Sequence, residues 1–211
     1  MAVEWVSSVN RYRDTKTGRF LSPSTVEALV DKGRLDAANR LISLADELIS
    51  ESLTPAEWEK RFKQIIKETS IQQYATGRGG LSQLTPTDYG RIGSYLKDQY
   101  QYLKGFREAL PNQSEAQIRV RSQMYASATK YMYEKGTWAA WDMPDLPAYP
   151  ADGSSECLIN DRCSWRIVKL KTPGSWNCFW EIRPGENCPT CLERASKWKP
   201  LKIRKGVIIN G

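Results

Sequence analysis

Apolar residues recur at helical spacing through the first two thirds of the chain and alternate at strand spacing in the last third. Val26, Val30, Ala37, Leu41, Leu44 and Leu48 keep to one face of a predicted helix. Ser24, followed three residues later by Glu27, reads as its capping box. Gly33 interrupts the stripe, costs about 1 kcal/mol relative to Ala in a helix interior, and predicts a bend or split there. Thr54-Pro55-Ala56-Glu57 opens a second helix through Trp58, Phe62, Ile65 and Ile66 that should stop near Gly77, in the breaker run Gly77-Arg78-Gly79-Gly80. Thr85-Pro86-Thr87-Asp88 repeats that start before Tyr89, Ile92, Leu96, Tyr100, Leu103 and Phe106. Ser114 with Gln117 opens a fourth helix, through Ile118, Tyr125, Ala128 and Met132, that Gly136 should end. Helical spacing makes the tyrosines of these stripes core residues before it makes them a stacking surface for bases.

After Gly136 the text changes. Trp138, Trp141, Pro144, Pro147 and Pro150 predict an extended strap, because proline forbids further helix while tryptophan calls for burial against the helical body or a neighbour. Trp165 to Leu170, a turn at Lys171-Thr172-Pro173-Gly174-Ser175, and Trp176 to Ile182 read as a β-hairpin. Within it Cys178 alternates with Trp176 and Trp180, as a buried apolar residue does. A short helix over Leu192 to Trp198 and a strand over Leu201 to Ile209 complete the pattern. The expected class is α+β: an arm at 1–22, a body of about four helices at 23–136, the strap at 137–155, and a cysteine-bearing β module at 156–211.

Composition alters this picture little, since 40% hydrophobic and 26% charged residues are ordinary globular usage. The apolar runs are short and broken by charge, well below the roughly 20 residues that span a bilayer, so no membrane association is expected. Met1 to Asn10 lack the basic start and apolar core of a secretory signal, which gives an expectation of a cytoplasmic protein. Charge says more. The 31 Lys and Arg against 24 Asp and Glu give +7 and a pI near 9.1, which favours an anionic partner. Arg11, Arg13, Lys16 and Arg19 cluster near the start, and Arg194, Lys197, Lys199, Lys202, Arg204 and Lys205 near the end. Such clusters read first as solvated surface, and as contact with nucleic acid or an acidic protein surface second.

The chain has no histidine, which removes the usual general base and the commonest metal ligand together. Ser-His and Cys-His nucleophiles are excluded, and there is neither a phosphate-binding glycine loop nor a nucleophile elbow. A non-catalytic protein is the expectation. The enzyme alternative needs acids such as Glu156, Glu181 and Glu186 gathered in a cleft.

Four of the five cysteines flank the hairpin: Cys157 and Cys163 before it, Cys188 and Cys191 after it, the latter as Cys188-Pro189-Thr190-Cys191. Two intervening residues let a pair of thiolates converge on one tetrahedral zinc, and the hairpin can bring the other pair to the same point. The five-residue gap between Cys157 and Cys163 is wider than usual and contains Asp161 as a candidate oxygen ligand. Disulfides or plain thiols are the competing accounts. A module of about 55 residues rarely secures itself by burial alone, so zinc or disulfide here is a structural staple.

Several phrases bear a family likeness: Tyr12-Arg13-Asp14 with Gly18-Arg19-Phe20, then Gln73-Tyr74-Ala75-Thr76-Gly77-Arg78-Gly79-Gly80-Leu81. Next come Tyr89-Gly90-Arg91-Ile92-Gly93, Ser114-Glu115-Ala116-Gln117-Ile118, and Met143-Pro144-Asp145-Leu146-Pro147-Ala148-Tyr149-Pro150. The last are Cys157-Leu158 with Cys163 and Trp165, and Cys188-Pro189-Thr190-Cys191. Together they resemble the minor head proteins of tailed bacteriophages, the head-morphogenesis family with its Mu F-type relatives. Similar sequences carry cysteine or histidine where Asp161, Ser164 and Asn187 stand, so this chain departs from the family's ligand pattern. The resemblance implies a virion component, made in the host cytoplasm, that meets capsid, portal or neck proteins, forms a homo-oligomer or ring, and lies near packaged DNA. A capsid cement or adaptor protein and a zinc-ribbon-like nucleic-acid-binding protein are the alternatives.

Overall fold

The computed structural model describes residues 3–6, 9, 11–150, 152–157 and 163–211. The chain divides into two compact units, Met1–Thr137 and Trp138–Gly211.

The first unit opens with a hairpin that the helical and strand patterns do not announce, β1 (Val3–Val6) antiparallel to β2 (Arg11–Asp14). Asp14 ends it: its carboxylate accepts the N–H groups of Lys16 and Thr17 at 2.7 and 3.0 Å, fixing a turn before Phe20 bridges back to Arg13. Five α-helices follow: α1 (Pro23–Ile49), α2 (Pro55–Arg78), α3 (Pro86–Ala109), α4 (Glu115–Ala128) and α5 (Lys130–Ala140). α1 packs on α2 and α4, and α2 on α3. Trp58, Phe62, Phe106 and Tyr125 join three helices edge to face and stacked, with centroids 4.9 to 6.3 Å apart. Around them Leu41, Leu44, Ile66 and Leu103 are at most 1% exposed, the helical core that the stripes predict.

The predicted starts of α2, α3 and α4 hold as full capping boxes at Thr54, Thr85 and Ser114. Other boundaries move. The cap of α1 is Ser22, whose hydroxyl accepts the Thr25 N–H at 3.1 Å, because Pro23 takes the first helical position. α1 is neither split nor stopped at Gly33: that glycine admits the side-chain amide of Gln73, which donates to the Val30 carbonyl at 3.0 Å. α2 stops inside the predicted breaker run, at Arg78, so Gly77 lies in its last turn, whereas Gly136, predicted as a helix end, lies inside α5. A Cβ at Gly77 would sit 2.2 Å from the Tyr133 carbonyl oxygen, and one at Gly136 would sit 2.1 Å from the Tyr74 oxygen. The two glycines let the backbones of α2 and α5 touch, and Gly79, at φ 103°, is the residue that closes α2. The predicted fourth helix is two: Thr129 ends α4 by bonding its hydroxyl back to Ala126, so the body has five helices instead of about four.

The second unit begins inside α5, which runs to Ala140, so the strap is extended only beyond that point. Met143, Leu146, Ala148 and Tyr149 of the strap are buried; Tyr149 stacks on Trp138 at 4.5 Å, and the Trp165 indole donates to the Ala148 carbonyl at 3.0 Å. The strap is therefore pinned to the sheet of its own unit. That sheet has the order β3 (Ser164–Lys169), β4 (Trp176–Glu181), β5 (Leu201–Arg204), β6 (Val207–Ile208), antiparallel throughout. The hairpin β3–β4 matches its prediction, and the predicted last strand folds back on itself at Lys205 and Gly206, both at positive φ. Trp165 packs between Trp180 at 5.1 Å and Trp198 at 5.2 Å, over a floor of Cys178, Leu201 and Ile203 that is 0% exposed. The short helix α6 (Pro189–Lys197) starts three residues ahead of its predicted position, because Cys188 takes the N-cap and Pro189 the first turn.

Candidate metal centre and basic surface

The early start of α6 puts Cys188 at its N-cap and Cys191 in its first turn, the latter fully buried. The loop before the sheet brings Cys157 to the same place, and the three sulfurs lie within 4.8 Å of one another. A zinc ion at about 2.3 Å from each of three tetrahedrally disposed sulfurs would set them about 3.8 Å apart. The cluster can therefore hold a metal ion after only a small closure. No disulfide joins any of the five cysteines.

Electrostatics favours ligand chemistry at this point. Burial raises the Cys188 thiol, but the Cys191 backbone N–H and the neighbouring Cys157 and Cys191 thiols outweigh burial and the opposing Glu156, and hold it below the ordinary thiol range. Glu156 is held down to about 2, first by the Thr190 side chain and then by backbone and Cys188 contacts, and its carboxylate accepts the Thr190 N–H at 3.3 Å. It ties the loop carrying Cys157 to the turn carrying Cys188 and Cys191. The sequence offered one sign of this role, an acid adjacent to a candidate ligand.

The remaining predicted ligands behave differently. Cys163 is 3% exposed and is not one of the three mutually close sulfurs, and Asp161 lies outside the described residues. Cys178 is buried in the sheet, where desolvation pushes its thiol up to about 12, in keeping with a packing role. Of the three acids that an enzyme would need, Glu181 pairs with Arg166, Glu156 serves the cysteine loop, and Glu186 is exposed in the loop before α6.

The predicted basic contact set divides in two. Lys197, Lys199, Lys202 and Lys205 are exposed. Arg194 is half-buried: its guanidinium lies 5.2 Å over the Trp180 ring and 5.9 Å over Trp198, and donates to the Ser154 carbonyl and hydroxyl at 2.9 Å. Arg204 donates to the Trp176 and Ile203 carbonyls and to Asn177. Both arginines donate inside the unit, Arg194 through one guanidinium nitrogen that fastens the loop before Cys157 to α6.

Among the described residues no helix is long and apolar enough to cross a membrane. Comparison with protein-family models, with curated proteins and with solved structures finds no match to this chain.

Proposed function

We propose that the chain is a non-catalytic structural component of a tailed-phage virion, a minor head or head-to-tail protein acting in head assembly against capsid, portal or neck subunits. What supports this reading is where the phrases of the resemblance fall. Tyr12, in the first phrase, donates to the carbonyl of Gly77, in the second, at 2.6 Å. Tyr74 of that second phrase donates to Asp88 at 2.7 Å, just ahead of the third. The Met143 to Pro150 phrase receives the Trp165 indole at Ala148, and the Cys157 phrase meets Cys188 and Cys191. The phrases that carry the resemblance thus lie at contacts within each unit.

The cysteine cluster fits a structural zinc, with the thiolates of Cys157, Cys188 and Cys191 as its soft ligands. Zinc would contribute folding energy to a small unit and supply no chemistry beyond that. The test is mass spectrometry with cryo-electron microscopy on purified particles. A ring of copies at the portal or neck is the expected result. Hundreds of copies over the head would make it a cement protein, and absence from particles would overturn the virion reading.

A further inference from the structure

Charge is concentrated in the cysteine-bearing segment: residues 156–211 carry eleven Lys and Arg against five Asp and Glu, which is six of the chain's net +7. Strand alternation turns Trp165, Trp176, Cys178, Trp180, Leu201 and Ile203 to the buried side of the sheet. The opposite side presents Arg166, Val168, Asn177, Phe179 and Lys202, all exposed or half-exposed. Arg166 stands opposite Phe179 in the register and lays its guanidinium 4.1 Å over that ring. Its charge is partly met by Glu181, the one carboxylate at this spot among the described contacts. Next to Phe179 opens a hollow of about 560 Å³, walled by Ile182, Leu192 and Ala195, with Lys199 on its lining. Leu192 is 49% exposed and Ile182 38%, so the hollow has an apolar floor that water reaches.

The geometry points to this face as a binding platform for single-stranded nucleic acid. The stacked Arg166–Phe179 pair offers a planar, cationic surface to an unpaired base, the hollow beside it is large enough to receive the next base, and Lys199 and Lys202 are placed for the phosphates. A duplex keeps its bases stacked inside and cannot use the pair. An acidic protein surface would draw on the lysines without needing Phe179, which the Phe179 variant below separates from base stacking. The face differs from the basic run read along the sequence, since Arg194 and Arg204 are committed internally while Arg166 and Phe179 come from the hairpin. The inference does not rest on the virion reading.

The test is a titration of the full chain with a fluorescein-labelled oligothymidine of about 20 nucleotides, by anisotropy, from about 50 to 200 mM salt. Lys199→Ala/Lys202→Ala should lower the salt slope of log affinity by about 1.4, two phosphate contacts at about 0.7 each on a single strand. Phe179→Leu should leave the slope unchanged and weaken binding about tenfold. Thermal melts should show both variants folded, and the paired lysines are exposed enough to be neutral for folding. Lys60→Ala/Lys67→Ala, in the hollow of about 600 Å³ beside Tyr100 in the first unit, should change nothing. The platform is overturned if the oligothymidine fails to bind at low salt, if only Lys60→Ala/Lys67→Ala weakens it, or if duplex DNA or poly-glutamate competes as well as unlabelled oligothymidine.

Discussion

In the helical unit, Trp58, Phe62, Phe106 and Tyr125 pack rings from three helices, and those helices run 24, 24 and 14 residues with their own caps. In the C-terminal unit, Trp138, Trp165, Trp180 and Trp198 pack in the same way, but the strands around them are six, six, four and two residues long. Aromatic cores of similar make are thus supported very differently. The helical unit has redundant local order in every helix. The C-terminal unit depends on a few contacts that join distant segments: the sulfurs of Cys157, Cys188 and Cys191, the Arg194 fork on Ser154, and the indole of Trp165 on Ala148. Redundant structure should degrade gradually under mutation; structure held at a few points should fail together.

The sharpest way to break the comparison is to remove the thiol cluster. Cys191→Ser, or a strong chelator added to the purified chain, should destabilise the C-terminal unit by about 5 kcal/mol or more if zinc joins the three sulfurs. Six of the eight tryptophans lie in that unit, so fluorescence and near-ultraviolet dichroism should collapse while the helical far-ultraviolet signal stays. If the tryptophan signal is untouched by either treatment, the aromatic core holds the unit alone, and the contrast between the two units is one of size only.

The next effect belongs to the helical unit. Gly77→Ala places a methyl 2.2 Å from the Tyr133 carbonyl oxygen, where backbone meets backbone and nothing can swing aside. A loss of about 3 kcal/mol in urea unfolding is expected. Gly90→Ala, on a helix with no atom within 4 Å of the added carbon, should instead stabilise by about 0.5–1 kcal/mol. If the two substitutions behave alike, the touching of α2 and α5 is not what fixes their packing.

The same glycines mark the limit of what could be read along the chain. Helix starts were legible because a cap is written in four consecutive residues, as Thr54, Thr85 and Ser114 show. Gly33 read as a bend or split and Gly136 as a helix end because their reasons, the Gln73 amide and the backbone of α2, lie far away in sequence; the run from Gly77 marked the end of α2 but not the approach of α5 to Gly77. The cysteine cluster was legible in part for the same cause. Cys188 and Cys191 are local to one another and their meeting is implied by spacing, whereas Cys157 joins through a loop whose course only Glu156 and Thr190 reveal. Arg194 looked like solvated charge, and nothing near it in sequence announces Ser154 as its partner.

A third test uses pH. Asp88 is 2% exposed and takes bonds from Tyr74, from the Thr85 amide and hydroxyl, and from Arg78. Burial alone would raise its carboxyl, but the bonds from Tyr74, Thr85 and Arg78 outweigh it and hold it below the ordinary Asp value. A depressed folded pKa means that its stabilisation is complete above the unfolded value near 3.9 and is lost as pH falls through the folded one. Asp88→Asn should therefore cost about 2 kcal/mol at neutral pH and flatten the helical unit's acid dependence below about pH 4. Equal acid sensitivity in the variant would move the titrating group elsewhere.

The smallest effect separates local from distant order most directly. Ser22 and Ser24 are both exposed serines at the start of α1, and their hydroxyls lie 2.8 Å apart. Only the Ser22 hydroxyl reaches a backbone donor of the first turn, the Thr25 N–H, because Pro23 has moved the cap back by two residues. Ser22→Ala should cost about 1 kcal/mol by chemical unfolding and Ser24→Ala no more than a few tenths. The loss should appear in the helical transition and leave the tryptophan-reported one in place, since a cap acts on its own helix. A shift of both transitions by Ser22→Ala would mean that the two units unfold as one, and the distinction between redundant and concentrated support would then describe contacts without describing stability.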